Sequence, residues 1–296
     1  MSVYTTYNAK TNHEDLTDIL TEIGQEYTPL YSSVKKVQAK NTVHEWSTYT
    51  YDDATANAQV EGATFDYPAL TSPARVSNYT QIFTKPFQVS MTQQAVDPAG
   101  MKDEYAQRVE WKLKEIGKDI EKALLQGTGN SGASGTARQL KGLLAFITTN
   151  VSSGYGTATG ANRAVTTGEI NALMQRCLEK GSTPNWLLTT YSVQSKISEL
   201  ATAQRRYIKS DDRTLVDDVA VYQSPFGRCA IEGDIVMPSG TIVVCDKSLL
   251  AVAQLRPVHK VDTATTADAK NGVLVGELTL ECRAEAMMAK ATGIGE

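Results

Sequence analysis

The chain has 296 residues, a formal net charge of −4, and 41% hydrophobic and 21% charged residues. That is the composition of a folded protein long enough for about two compact units, without the dense basic block of a groove-reading nucleic-acid binder. No apolar run approaches the ~18 residues of a membrane span. The opening Met1-Ser-Val-Tyr lacks the basic cap and apolar centre of a secretory leader, so folding in a cytosol is expected.

Residues 1–40 read as an arm. Leu16, Ile19, Leu20 and Ile23 fall at helical spacing, predicting a helix over 13–25 with one apolar side; Thr28-Pro29 stops it. So narrow a stripe must dock on this chain or a neighbour. Residues 42–51 and 76–92 are rich in Thr, Val, Tyr, Trp and Phe and predict two long strands. Neither has a clean apolar side, and a lone two-stranded hairpin is marginal in water, so this projection is expected to be ordered against another subunit. Between 41 and 74 stand five acids, Glu45, Asp52, Asp53, Glu61 and Asp66, and no Lys or Arg. A loop of one sign can select a complementary surface; a merely solvated acidic loop is the plainer reading.

Tyr105, Val109, Leu113, Ile116, Ile120 and Leu124 form a helical stripe, predicting a helix over 101–126, about 39 Å long. Asp97-Pro98 or Gly100 offers its start and Gly127 a C′ stop, with Lys112, Glu115, Asp119 and Lys122 on its other faces. Gly/Ser/Thr/Ala-rich loops at 127–137 and 151–168 flank an apolar patch at 140–147.

Residues 165–258 predict an α/β unit, with strand and helix patterns interleaved. Thr166 and Glu169 suit a capping box. Ile170, Leu173, Met174, Cys177 and Leu178 form an apolar helical face closed by Gly181, and Val193, Ile197, Leu200 and Ala201 mark a second helix. Strands are expected at 186–189, 219–223, 229–232, 241–245 and 250–255. Finally, Leu278, Leu280, Cys282, Ala284, Ala286 and Met288 alternate with Thr279, Glu281, Arg283 and Glu285. This predicts a strand over 278–288, about 36 Å long, its apolar face on the long helix and its charged face, Glu277 included, turned away.

Chemistry is thinly supplied. Gly127-Thr-Gly129-Asn-Ser-Gly132 has the glycine spacing of a phosphate loop, but Ala133 stands where the lysine belongs, and a helix rather than a strand precedes it. Cys177, Cys229, Cys245 and Cys282 lack metal-knuckle or redox spacing, and Cys177, Cys245 and Cys282 suit buried thiols. His13, His44 and His259 lie in no base context. The basic cluster Arg205, Arg206, Lys209 and Arg213 is diluted by Asp211 and Asp212 and suits a solvated helix end. No catalytic, cofactor-binding or metal residue is assigned and no cofactor is expected; an α/β enzyme with a site near 127–168 is the remote alternative.

The order arm, acidic projection, long helix, α/β unit and returning strand resembles the tailed-bacteriophage major capsid proteins of the Hong Kong 97 type, whose fold encapsulin shells share. Asn41-Thr-Val-His-Glu-Trp46, Val60-Glu-Gly62, the run from Arg75 to Phe83, Gln94-Ala-Val-Asp97, Arg256-Pro257 and the strand from Leu278 to Arg283 are similar to one subfamily of phage head proteins. The resemblance implies an α+β fold of five parts: an N-terminal arm (1–40), an extended E-loop hairpin (41–92), a peripheral domain with a long spine helix (93–164), an α/β axial domain (165–258) and a peripheral return strand (259–296).

It further implies a non-enzymatic shell subunit that forms hexamers and pentamers of an icosahedral virion around double-stranded DNA, without sequence-specific binding or a membrane, assembled in the host cytoplasm. Portal, scaffolding and decoration proteins are the partners such shells bring; an encapsulin-type compartment is the alternative. Trp46, Asp52, Asp53, Glu61, Asp66, Lys112 and Lys122 are the expected contacts between subunits. Some relatives weld their shells through an E-loop lysine; no lysine lies between Lys40 and Lys85, so a non-covalent shell is expected. About 100 residues precede the long helix, which leaves a scaffold to a separate protein.

Overall fold

The computed structural model describes residues 27–64, 67, 69–96, 103–155, 158–159, 163–202, 221–264 and 267–295. The helix expected over 13–25, Asp66 and the basic cluster at 205–213 lie outside them. The first elements are α1 (Pro29–Ser33), β1 (Lys35–Gln38), β2 (Val43–Thr48), β3 (Ala74–Tyr79), β4 (Gln81–Ser90), α2 (Met91–Ala95) and α3 (Glu104–Gln126). Asp103 caps α3 by accepting from the N–H groups of Tyr105 and Ala106 at 2.9 and 3.1 Å, so the start lies beyond the expected Asp97 or Gly100. Its 23 residues span about 35 Å.

The buried stripe of α3 also differs from the expectation. Tyr105, Ile116, Ile120, Leu124 and Leu125 are buried while Leu113 is 51% exposed; Leu113 matches the spacing but falls at the margin of the covered face. Gly127 ends the helix with φ −53° and ψ 136°, not as a left-handed C′ glycine. Its smallness serves close packing: a Cβ there would lie 2.4 Å from the Leu140 carbonyl oxygen and 2.6 Å from that of Ala123.

The chain continues through β5 (Thr128–Asn130), β6 (Gln139–Lys141), α4 (Leu143–Phe146), β7 (Val151–Ser152), β8 (Gly154–Tyr155), β9 (Ala158–Thr159), α5 (Thr167–Glu179), β10 (Trp186–Thr189) and α6 (Tyr191–Thr202). Then come β11 (Val221–Ser224), β12 (Gly227–Gly233), β13 (Ile242–Cys245), β14 (Leu250–Thr263), β15 (Ala269–Cys282) and β16 (Ala289–Ala291). The glycine-rich stretch after α3 is the hairpin β5–β6, with Gly129, Gly132 and Gly135 at positive φ, rather than a phosphate cradle. Thr166 caps α5 through the Glu169 N–H at 3.2 Å, but the Glu169 side chain pairs with buried Arg163 instead of closing a capping box. Leu178, counted in the α5 face, is exposed.

Two sheets organise the molecule. One has the order β1-β14-β15-β4, the other β11-β12-β10-β13-β16-β7. Residues 250–258, expected in the α/β unit, therefore belong to the first sheet, because β14 runs on past Leu255 as the hairpin partner of β15. Pro257 sits where that register slips, as a residue without an N–H must. The expected strand over 278–288 begins earlier, at Ala269, and stops at Cys282; β16 then joins the second sheet against β13. One apolar core gathers α1, β4, α3, β14 and β15, and a second gathers α5, α6, β10, β12 and β13.

Candidate assembly interface

The expected strand over 76–92 breaks at Thr80 into β3 and β4, which serve different sheets. β3 pairs with β2 from Val43↔Tyr79 to Thr48↔Ala74, whereas β4 pairs with β15 from Leu278↔Gln81 to Ala269↔Ser90. Beyond Thr48 and Ala74 the chain makes an excursion with no helix or strand among its described residues. Folded back on itself, a segment of that length can reach at most about 40 Å. Tyr51, Val60, Tyr67 and Leu70 on it are 86, 79, 87 and 93% exposed, interspersed with exposed Asp52, Asp53 and Glu61. Apolar side chains this bare in one segment make an exposed hydrophobic surface.

The root of the projection is held by buried polar groups. Asn78, 1% exposed, donates from Nδ2 to the carbonyls of Lys141 and Leu280 at 2.9 and 2.7 Å, and accepts at Oδ1 from the N–H groups of Lys141 and Tyr79 at 2.8 and 2.9 Å. Its full hydrogen-bonding capacity thus ties β3 to β6, and to β15 where β4 no longer flanks it. The Thr80 hydroxyl donates to Glu277 Oε1 at 2.8 Å, and Arg138 Nη2 reaches the same oxygen at 2.7 Å. Arg256 meets Glu277 Oε2 at 3.1 Å.

Four residues further along β15, His44 Nε2 lies 2.9 Å and Arg283 Nε 2.8 Å from the Glu281 carboxylate, one residue beyond Leu280. Burial would raise the Glu281 carboxyl, but Arg283 and His44 outweigh it and hold it below its ordinary value. Glu277, Thr279 and Glu281, expected to face away, are buried. The projection root and the β5–β6 hairpin cover that face of β15, and strand alternation alone gives no sign of the cover.

The expected contact residues divide. Asp52, Asp53 and Glu61 stand exposed on the excursion. Trp46 packs inside the chain, its ring 6.0 Å from Phe146 and 5.8 Å from His44. Lys112 pairs with Glu115 at 2.8 Å on its own helix, and Lys122 is exposed there. Lys85 binds Asp119 at 2.8 Å, a hydrogen bond that raises its pKa.

Among the described residues nothing reactive gathers nearby. Burial pushes the thiols of Cys177 and Cys282 up to about 12 and that of Cys229 to about 11, far from the thiolate a nucleophile needs. Among the described residues no group of His, Cys, Asp and Glu could hold a metal ion, and no helix is long and apolar enough to cross a membrane.

A sequence profile described as SU10 major capsid protein matches residues 2–295. No curated protein sequence matches the chain. Among solved structures, the "Cyanophage A-1(L) capsid asymmetric unit" aligns with a TM-score of 0.75 at 14% identity, covering 99% of each chain. The "Capsid of native GTA particle computed with C5 symmetry" aligns at 0.66 and 12% identity, over 98% of this chain and 97% of that one. The holo-SrpI encapsulin complex from Synechococcus elongatus aligns at 0.61 and 10% identity, over 100% of this chain and 97% of the other. The fold is that of Hong Kong 97-type capsid proteins.

Proposed function

We propose that this chain, which belongs to the SU10 major capsid protein family, assembles as hexamers and pentamers into a closed icosahedral phage shell around double-stranded DNA. The observation that carries the reading is the bare excursion between β2 and β3. Its tyrosines, Val60 and Leu70 find no cover among the described residues, while its root is locked to β6 and β15. A rigidly rooted arm with an unburied tip is a part made for a neighbour, and a patch that fits a different patch on the next copy builds rings rather than isolated pairs.

Charge agrees with a container. The acids of the excursion favour a basic patch on the next subunit, and a net charge of −4 gives the wall little grip on phosphates. The work of such a protein is structural, its place is the virion, and assembly occurs in the host cytoplasm, with portal, scaffolding and decoration proteins as separate partners. The likeness to an encapsulin favours the second reading, a compartment with protein cargo, but with a lower TM-score than the cyanophage capsid.

Deleting 52–68 tests the reading. The variant should keep the circular dichroism and unfolding midpoint of the isolated subunit while losing closed particles in negative stain. Particles of normal size from the deleted chain would refute it.

A further inference from the structure

Glu121 and Asp234 are both 0% exposed, and they come from different parts of the molecule. Glu121 sits on the buried side of α3 between Ile120 and Leu124. Its two oxygens accept the N–H groups of Leu30 and Tyr31, at 2.7 and 2.8 Å, and so hold α1 against the long helix. Asp234 follows β12; its own N–H donates to the Thr189 carbonyl and its Oδ1 accepts from the Val236 N–H at 2.8 Å. Gln126, at the end of α3, donates to the Val236 carbonyl, so this turn is seated on the same stretch of helix.

Asp234 Oδ2 is buried and finds no donor, yet the Glu121 carboxyl lies within hydrogen-bonding reach of the Asp234 side chain. Two carboxylates are acceptors only, so a close buried pair is satisfied only when one carries a proton. Among the described residues no group around them supplies a countercharge. Tyr31 reaches Glu121 through its backbone N–H, Tyr27 lies close enough to feel the charges of both Glu232 and Asp234, and Lys247 is already paired with Glu232 at 3.0 Å.

We propose that Glu121 and Asp234 share one proton and thereby form a latch that fastens both α1 and the 234–236 turn to α3, closed while the proton is held and loosened when it is lost. Removing the proton leaves two like charges out of water, and the cheapest relief is to let α1 or the turn lift and admit solvent. The titration runs the same way. Burial raises both carboxyls, Glu121 to about 8, with the Asp234 charge adding to the rise and the two N–H groups opposing it. A raised acid stabilises the closed form fully below its ordinary value, and the benefit is gone once the pH has climbed through the raised one. The pair titrates as a unit.

Hydrogen exchange of the unassembled full-length chain tests this, independently of whether shells form. Read at the amides of residues 30–34 and corrected for intrinsic rates, protection should be greatest below the ordinary carboxylate range, fall by up to about tenfold per pH unit as the pH climbs from there to about 8, and level off above it. Asp234→Asn supplies a permanent donor to Glu121, so it should keep the protection and abolish its fall across that pH window. Glu121→Gln turns an amide nitrogen toward the α1 N–H groups and should loosen α1 at every pH. Protection in the wild type that stays flat from acid pH to about 8, or an unchanged fall over that range in Asp234→Asn, overturns the proposal. Should Asp234→Asn fail to fold, the infrared stretch of a protonated carboxyl in the wild type decides: present at neutral pH and bleached by alkali if the latch exists, absent at neutral pH if it does not.

Discussion

Replacing Asn78 by alanine should unfasten the projection. Three of its four hydrogen bonds reach distant backbone, namely the N–H and carbonyl of Lys141 and the carbonyl of Leu280; the fourth, to Tyr79, is local. A neutral hydrogen bond contributes about 1 kcal/mol net, and a buried group left without a partner costs about 1–3 kcal/mol. With partial relief by water entering at the rim, Asn78→Ala should lose about 3–5 kcal/mol of subunit stability. Asn78→Asp keeps the acceptors but sets a carboxylate against two carbonyl oxygens, and should cost at least as much. Urea unfolding of the unassembled chain gives the loss as a shifted midpoint at unchanged slope, with hydrogen exchange in β2 and β3 rising first. A loss below about 1 kcal/mol for both variants would refute the claim that this side chain is the tie between β3, β6 and β15.

Three further outcomes are expected. Because Glu281 is held below its ordinary carboxylate value, the stability it adds is complete above that value and lost as the pH falls through the lower one. Glu281→Gln should therefore weaken the chain at neutral pH, with the gap to wild type closing in acid; a gap independent of pH would contradict this. Gly127→Ala should cost about 2–3 kcal/mol, through overlap with two carbonyl oxygens rather than through its φ, and a neutral thermal shift would count against that packing. Assembled particles boiled in detergent should run as a single monomer band, since no lysine lies between Lys40 and Lys85; a ladder of covalent oligomers would show a weld.

What the amino-acid order revealed, and what it hid, follows from how local each signal is. The long helix, α5 with its Thr166 cap, and β10 were readable because apolar spacing and caps act over a few residues. The break at Thr80 was not, since β3 and β4 share one strand-like run and differ only in which distant strand each meets. The charged face of β15 looked like a solvent face because alternation cannot foretell a second layer; Glu277 and Glu281 are covered by groups from residues 44, 80, 138 and 256. Trp46, read as a contact for a neighbour, is used within the chain against Phe146. Glu121 and Asp234 carried no local mark, although an acid beside Ile120 on the buried side of a helix is the kind of exception worth pursuing. The acidic, aromatic excursion was legible because the absence of lysine, arginine and a clean apolar face is itself a local property.

The central claim is that sister copies cover what this chain leaves bare between β2 and β3. Hydrogen exchange across 49–73, measured on the dilute monomer and again on material that sediments as closed particles, addresses it most directly. The account predicts fast exchange in the monomer and strong protection in the particle, with the change concentrated around Tyr51, Val60, Tyr67 and Leu70. Equal exchange in both states, or a monomer that protects the segment by itself and never closes into particles, would contradict it.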